Sequence, residues 1–276
     1  MRYRGFTLVE LVVVIVLLGI VGTISSRFIG QTVQLYSDST IQQQRIAEAR
    51  FVLERLSREI AGVHPFSLRD PFASNVTYQG KCIEYIRISA VSSYLGSATA
   101  SAALSVIENP NDILQTGTVS ALSVARRVSV HSQDATDLYS SADNNSVKSV
   151  AAFSALNNTA TFSAAFSSDS TGKRYTVLDK NGPVSWCMFN NQLYRYANYN
   201  TNYGTAKTVD WFIAQATAGS AYSSLMAEHV SSSSLFKVTA PTLSHNAALD
   251  LSLQLTTDND GNKLILNRRM QVNYVP

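Results

Sequence analysis

Residues 1–24 read MRYRGFTLVELVVVIVLLGIVGTI, a short basic leader followed by an apolar segment. As a helix, residues 6–24 would extend about 28 Å at about 1.5 Å per residue, nearly the thickness of a hydrocarbon core. Glu10 is the one charged side chain in this apolar segment. Because an ionised carboxylate inside a spanning helix costs about 3 kcal/mol even on lenient insertion scales, Glu10 requires a compensating cation.

Cleavage of the chain after Gly5 would supply that cation, as the new amine of Phe6 on a neighbouring copy. The sequence GFTLVE at residues 5–10 closely resembles the signal of type IV prepilins. This resemblance implies cleavage between Gly5 and Phe6 by prepilin peptidase, N-methylation of Phe6, and an assembly role for the carboxylate of Glu10.

An ordinary secretory signal peptide and a plain membrane anchor are the two alternatives for this segment. A secretory signal ends in a small-x-small cleavage site, and the sequence TISSR at residues 23–27 is a poor match. A simple anchor would avoid a carboxylate inside its apolar run. The prepilin interpretation therefore accounts best for the segment.

The charge balance bears on orientation and on partners. The formal charge of +3 includes Arg2 and Arg4, which would leave with the leader. The remaining charge offers no broad attraction to nucleic acid or anionic lipid. Basic residues before a spanning helix hold that end in the cytoplasm. We therefore predict a single-pass inner-membrane protein with its head in the periplasm.

Two cysteines, Cys82 and Cys187, are the minimum for one disulfide, and the periplasm is oxidising enough to form it. In the chain-entropy model a loop of this size is stabilised by about 4 to 5 kcal/mol. Two buried free thiols are the alternative. A metal site fits less well, because neither cysteine has a close Cys or His companion.

A second helical pattern follows the apolar segment. Between residues 42 and 63, apolar residues recur at spacings of three and four and form one stripe. Charged pairs four residues apart indicate a solvated opposite face: Arg50 with Glu54, Glu54 with Arg58, and Arg55 with Glu59. Gly62 and Pro65 end the pattern.

These patterns divide the chain into four parts. We predict a leader at 1–5, a transmembrane or filament-core helix at 6–26, an amphipathic continuation at 27–64, and a β-rich periplasmic head at 65–276. Within the core helix, Gly19 and Gly22 fit either local melting or close helix packing.

Short strand-like runs follow Pro65. The candidate strands are 82–90, 174–178, 184–189, 192–196, 249–256 and 263–275. Asn190-Asn191 and the turn residues 258–262 each predict a hairpin. The fold class is α+β, with the amphipathic helix laid across an antiparallel sheet.

Three stretches are dominated by Ser, Ala, Thr and Asn, at 92–106, 135–170 and 214–234. We predict long surface loops or insertions there. Such loops either carry binding specificity or serve as flexible padding.

The sequence offers no catalytic constellation, metal site or cofactor motif. His64, His131, His229 and His245 are scattered. A hydrolase site at His131 with Asp134 and Asp137 would lack a nucleophile motif.

Two further patterns have plainer alternatives. Asp258, Asp260 and Gly261 superficially resemble a calcium loop but lack the EF-hand spacing, so a hairpin turn is favoured. Tyrosines 194, 196, 199 and 203 around Arg195 offer either a stacking surface for sugars or single strands, or sheet packing.

Taken together, the leader with Glu10, the long helix, the late β-region and the closing NYVP at 273–276 resemble the large minor pilins and pseudopilins of type IV filaments. CIEY at 82–85, WC at 186–187 and LYRY at 193–196 resemble the minor prepilins of the mannose-sensitive haemagglutinin (MSHA) pilus. No proline precedes Pro65, whereas major pilins commonly carry one partway along the first helix. This difference and the large head argue against a repeating subunit.

The resemblance implies a non-enzymatic protein that starts or caps a filament. Its partners would be prepilin peptidase, other minor pilins, the major pilin and the inner-membrane assembly platform. A pseudopilin of a type II secretion system and a tip adhesin or DNA-binding minor pilin are the alternatives, although a nucleic-acid partner is not expected from the charge.

Overall fold

The computed structural model describes residues 7–107, 126–200, 203, 206–242, 245–257 and 262–272. One helix, α1 (Leu8–Ala61), forms the N-terminal part. The side chain of Thr7 caps it by accepting a hydrogen bond from the N–H of Glu10, and at its end the N–H groups of Gly62 and Val63 donate to the carbonyls of Glu59 and Ile60. At about 1.5 Å per residue α1 is about 80 Å long, so only its C-terminal part can pack on the head.

The predicted continuation of the apolar helix into an amphipathic one is confirmed. The helix runs through Gly19 and Gly22 without a break, which excludes local melting in this structure. A Cβ at either position would have no neighbour within 4 Å. Pro65 begins a short 3-10 turn (Pro65–Ser67), separated from the end of the helix by three residues.

The head contains thirteen strands and two further helices among the described residues. The strands are β1 (Cys82–Tyr85), β2 (Ile88–Leu95), β3 (Ala103–Val106), β4 (Arg127–Ser129), β5 (Val147–Ser154), β6 (Thr159–Phe162), β7 (Arg174–Leu178), β8 (Val184–Phe189), β9 (Gln192–Tyr196), β10 (Ser223–Ala227), β11 (Phe236–Thr239), β12 (Ala247–Thr256) and β13 (Lys263–Val272). The helices are α2 (Ala135–Leu138) and α3 (Val209–Ala218).

Two antiparallel sheets face α1. The first has the strand order β1-β8-β9-β10, and the second has the order β11-β12-β13. Both contact α1, the first through β10 and the second through β12 and β13. The apolar stripe of α1 (Ala49, Val52, Leu56 and Ile60) is fully buried in the core that they share. This is the predicted packing of an amphipathic helix across antiparallel sheet.

The six strands β2 to β7 form a separate closed barrel with the order β2-β3-β6-β5-β4-β7. Its interior is filled by its own aromatic and aliphatic side chains, among them Tyr94, Phe162 and Tyr175. In the chain the barrel is inserted between β1 and β8, which are hydrogen-bonded neighbours in the first sheet. The barrel is therefore an insertion into a sheet that continues on either side of it.

For the three low-information stretches the sequence predicts long surface loops or insertions, but helices and strands occupy about half of their length. The first two stretches lie within the insertion that forms the barrel. The stretch 92–106 contains the end of β2 and all of β3, the stretch 135–170 contains α2, β5 and β6, and the stretch 214–234 contains the end of α3 and all of β10. Their small residues make weak local signals, and pairing with distant strands supplies the order.

The other strand predictions agree closely with the structure. The run 82–90 divides into β1 and the start of β2, with a break at Ile86 and Arg87. Asn190 and Asn191 both have positive φ, 50° and 61°, as a two-residue hairpin between β8 and β9 requires. Residues 258–261 and 273–276, which include the predicted calcium-like turn and the C-terminal tetrapeptide, lie outside the described residues.

Candidate assembly site

The N-terminal half of α1 presents an uncovered apolar surface. Within the described residues, α1 is the one helix long and apolar enough to span a membrane, with an 18-residue window of mean hydropathy 2.7 that is entirely unburied. Glu10 lies on this surface, exposed, one turn after the Thr7 cap. No cation of the described residues lies within ion-pair distance of Glu10. Any cation that pairs with Glu10 therefore lies outside that part of the chain.

Glu59 fastens the other half of α1 to the head. Its carboxylate accepts hydrogen bonds from the Tyr85 hydroxyl at 2.5 Å, from Nε of Arg195 at 2.9 Å and from Nε of Arg55 at 2.7 Å. The indole N–H of Trp186 donates to the Tyr85 hydroxyl at 3.0 Å. One buried carboxylate therefore ties α1 to β1, β8 and β9.

Burial of Glu59 favours the protonated form, but the hydrogen bonds from Tyr85 and Arg55 and the charge of Arg195 outweigh it and lower the pKa of this carboxyl below its ordinary value. The side chain is therefore an anion at neutral pH, and the two guanidinium groups balance its charge.

The sequence pattern placed Glu59 on the solvated face of the helix, which is wrong. Glu59 is 9% exposed, and its predicted pairing with Arg55 forms at the margin of the core. Glu59 follows the core residue Leu56 by three positions and so borders the apolar stripe, where the helical pattern alone does not separate core from solvent. The predicted pair between Glu54 and Arg58 forms on the exposed face.

The two predicted cysteines form a disulfide. Cys82 and Cys187 are directly opposite in β1 and β8, with their Cα atoms 4.1 Å apart. The N–H of Met188 donates to the carbonyl of Lys81, so Lys81 and Met188 form a hydrogen-bonded pair of the ladder. The next pair, Cys82 and Cys187, is therefore a non-hydrogen-bonded pair, in which the side chains of an antiparallel sheet approach most closely. Because 105 residues separate them, the disulfide closes a loop that contains the whole barrel.

The barrel joins the head at a neck formed by Arg87 and Asp179. The N–H of Asp179 donates to the carbonyl of Arg87 at 2.9 Å, and the Arg87 guanidinium binds the Asp179 carboxylate at 2.5 Å. The neck lies beside the C-terminal end of α1, because Ile88 N–H donates to the carbonyl of Gly62 at 2.8 Å. The barrel is thus attached at the end of α1 farthest from Glu10.

A second buried carboxylate holds the head together near the neck. Glu84 accepts from the Tyr199 hydroxyl at 2.6 Å and from the Arg69 guanidinium at 2.5 Å. The same guanidinium lies 3.4 Å from the centre of the Tyr139 ring, which belongs to the loop after α2. Glu84 therefore links the first sheet to a loop of the inserted unit.

Two of the remaining sequence candidates, Asp134 and His131, have local structural partners. Asp134 caps α2 by accepting from the N–H of Thr136, and the His131 ring contacts Gln133. No three His, Cys, Asp or Glu side chains within the described residues form a group able to hold a metal. The tyrosines at 196, 199 and 203 are buried, so they pack the sheet and offer no open stacking surface.

Residues 1–26 match the family model described as the prokaryotic N-terminal methylation motif. The chain carries a prepilin motif. This motif indicates a prepilin of the type IV pilin or pseudopilin kind, and it belongs to structural proteins that are not enzymes. It implies processing by prepilin peptidase and assembly with other pilins, and with the apolar helix it indicates membrane anchoring. No curated protein and no solved structure matches the chain.

Proposed function

We propose that the protein is a minor pilin of an MSHA-like type IV pilus, in the class that the minor prepilin MshO represents. Prepilin peptidase cuts between Gly5 and Phe6, Phe6 is N-methylated, and the carboxylate of Glu10 pairs with the Phe6 amine of an adjacent subunit. The motif at residues 1–26 and the exposed Glu10 on an uncovered apolar helix support this proposal.

In this proposal the protein resides in the inner membrane with its head in the periplasm before assembly. It then starts or caps the filament and is displayed at the cell surface. Its partners are prepilin peptidase, the other minor pilins, the major pilin and the inner-membrane assembly platform. The single-pass helix α1 and the disulfide within the head are compatible with that location.

The position of the barrel is the observation that supports a role in starting or capping the filament. The barrel is attached beside the C-terminal end of α1, at the opposite end of the helix from the apolar half. In a filament whose subunits stack along their helices, the next subunit would have to share that space. A barrel of residues 88–178 at every repeat would crowd the lattice, whereas a subunit at the filament end leaves it free.

The abundance of the protein in filaments tests this role. We expect its deletion to abolish or sharply reduce piliation, while the wild-type protein remains a trace component of sheared pili by quantitative mass spectrometry. Near-stoichiometric abundance with the main subunit would contradict the role. Intact pili accompanied by a loss of exoprotein secretion would assign the protein to a type II secretion system instead.

Processing has a separate test. The intact mass of the membrane-extracted protein should show the loss of residues 1–5 and the gain of one methyl group. Cleavage near Ser26 would refute the prepilin assignment.

A further inference from the structure

The edge of the second sheet at β13 is long and regular, and no other strand of the described residues pairs with it. The register between β12 and β13 runs without interruption from Ala247 opposite Val272 to Thr256 opposite Lys263. The strand contains neither proline nor a bulge. Such an edge is a template for pairing with another chain, and proteins usually protect it.

The hydrogen-bond pattern shows which groups of β13 are free. Thr257 N–H donates to the carbonyl of Asn262, so the pairs that bond β12 to β13 involve the even-numbered residues of β13. The odd-numbered residues therefore turn their N–H and C=O groups away from β12. These are Lys263, Ile265, Asn267, Arg269 and Gln271, and none of their main-chain groups has a partner among the described residues.

The other sheet edges in the described part of the chain are protected. The first sheet ends at β1, where Glu84 exchanges two backbone hydrogen bonds with Arg69, and at β10, which is short and carries a bulge after Leu225. The edge of β11 is only four residues long, and the carbonyl of Gly80 accepts from Phe236 at its start and from the preceding Leu235. The barrel is closed and has no edge.

The side chains on this edge define what fits there. Lys237, Asp250 and Arg269 lie directly opposite one another across β11, β12 and β13, and Nε of Arg269 is 3.7 Å from the Asp250 carboxylate. These three side chains alternate in charge from positive to negative to positive. A strand added beside β13 would therefore pair best with an acidic residue opposite Arg269, because opposite charges on neighbouring strands attract. Four positions back along β13, the side chain of Ile265 is 55% exposed and offers an apolar contact.

We infer that the edge of β13 binds an extended segment of a different protein by strand addition, with an acidic side chain opposite Arg269 and an apolar one opposite Ile265. Main-chain bonds supply affinity and the alternate side chains supply specificity. A second copy of β13 fits poorly. In the antiparallel register that pairs all five free residues, Arg269 of one copy lies opposite Ile265 of the other, so neither meets the side chain that suits it. The three cationic side chains of each β13 strand (Lys263, Arg268 and Arg269) would also be brought beside the same three of the other copy.

The added strand would run alongside α1. Met270 of β13 accepts a hydrogen bond from the hydroxyl of Ser57, and Lys263 lines a small cleft together with Gln42. Both elements therefore run in the same direction along the head. This inference goes beyond the proposed function and does not depend on which filament system uses the protein.

The test uses the full chain in detergent micelles and a labelled nine-residue probe peptide. The probe has glutamate at its third and ninth positions, valine at its seventh and threonine elsewhere, to match the free residues of β13 from Gln271 back to Lys263. We expect saturable binding by fluorescence polarisation and slowed amide exchange at the five odd-numbered residues. Absence of binding, or protection elsewhere, would overturn the inference.

Variants of Asn267 separate main-chain from side-chain recognition. Asn267→Pro removes an outward N–H without breaking a bond to β12, so it should weaken probe binding by about tenfold or more while the melting temperature changes little. Asn267→Ala keeps the N–H and should bind within about twofold of the wild type. Equal binding by both variants would refute strand addition.

A charge swap covers the case in which the proline variant fails to fold. Arg269→Glu should weaken the glutamate probe by about tenfold, and a probe with lysine at the third position should restore binding to that variant. Lys237→Glu makes the same charge change two strands away and should leave binding nearly unaltered. Equal effects of Arg269→Glu and Lys237→Glu on probe binding would contradict a specific acidic partner. Self-association of the protein through β13 that the probe does not compete with would contradict it as well.

Discussion

Glu10 occupies an exposed position on the apolar half of α1, where an unpaired carboxylate is costly in lipid or in a filament core. If it pairs with the Phe6 amine of a neighbour, Glu10→Ala should leave the protein inserted and processed but poorly incorporated into filaments. Glu54→Ala, which removes an exposed carboxylate from the same helix, is the matched control. The measurement is the ratio of the variant to the main subunit in sheared pili. Wild-type incorporation of Glu10→Ala would show the pairing to be wrong.

Glu59 is the residue on which the docking of α1 depends. Glu59→Gln leaves the Arg195 guanidinium, 13% exposed, without its buried counter-charge, and should lower the free energy of unfolding by about 3 kcal/mol. The exposed pair of Glu54 and Arg58 supplies the control, since Glu54→Gln should cost less than about 1 kcal/mol. Urea denaturation monitored by tryptophan fluorescence measures both. Similar losses in the two variants would contradict the role of Glu59.

His64 makes the stability of the head depend on pH. The side chain is buried, its Nδ1 has no hydrogen-bond partner among the described residues, and burial lowers its pKa to about 4 from an ordinary 6.5. Between these values the unfolded chain binds the extra proton, so stability falls as the pH falls from 6.5 towards 4.

The variant His64→Gln removes this titration. Between pH 7 and pH 4.5 the wild type should lose about 2 kcal/mol more stability than the variant, because each unit of pKa shift is worth about 1.4 kcal/mol. Urea titrations of both proteins at the two pH values provide the measurement. Parallel losses would mean that His64 does not titrate across this range.

Among the elements, the pair of β1 and β8 carries the disulfide, and the neck residues Arg87 and Asp179 lie between these two strands in the chain. Replacing Cys82 and Cys187 together by alanine should destabilise the head by about 4 kcal/mol, because the bond closes a loop of 105 residues in the unfolded chain. Thermal and urea unfolding measure the loss. Non-reducing peptide mapping of the wild type should recover the linked peptides. Two freely alkylated thiols under oxidising conditions would refute the prediction.

The helix α1 was predictable as an element because its signals are local. Apolar residues at spacings of three and four, a cap at Thr7 and an end at Gly62 and Pro65 all act within one or two turns. The hairpin at Asn190 and Asn191 is local in the same sense, since both residues tolerate positive φ. Whether Glu59 faced solvent or core depended on which strands covered it, and those strands lie far along the chain.

At the scale of the whole molecule, the barrel and the sheets around α1 form separate cores. The barrel interior and the α1 core share no buried residue, and the chain enters and leaves the barrel at Arg87 and Asp179, whose backbones are hydrogen-bonded. Excising residues 88–178 and joining the neck by a short glycine-containing turn should therefore leave a folded head.

The excised variant should still form the disulfide and unfold cooperatively, although exposure of Ile86 and Tyr203, which pack on the barrel side, should reduce its stability. Periplasmic expression, thiol mapping and thermal unfolding measure the outcome. Failure of Cys82 and Cys187 to pair would show that the barrel is needed to bring β1 and β8 together.

The sequence by itself determined the membrane helix, its amphipathic continuation, the prepilin motif at its start and the only pair of cysteines available for a disulfide. Each of these depends on residue order within a few turns, or on there being just two candidates. Tertiary structure alone decided that two of the three Ser- and Ala-rich stretches contribute strands to a closed barrel, that Glu59 is buried, and that β13 ends its sheet with no neighbouring strand beyond it among the described residues. The physical reason is that strand pairing joins distant residues, and small side chains take their order from the neighbours that the fold provides.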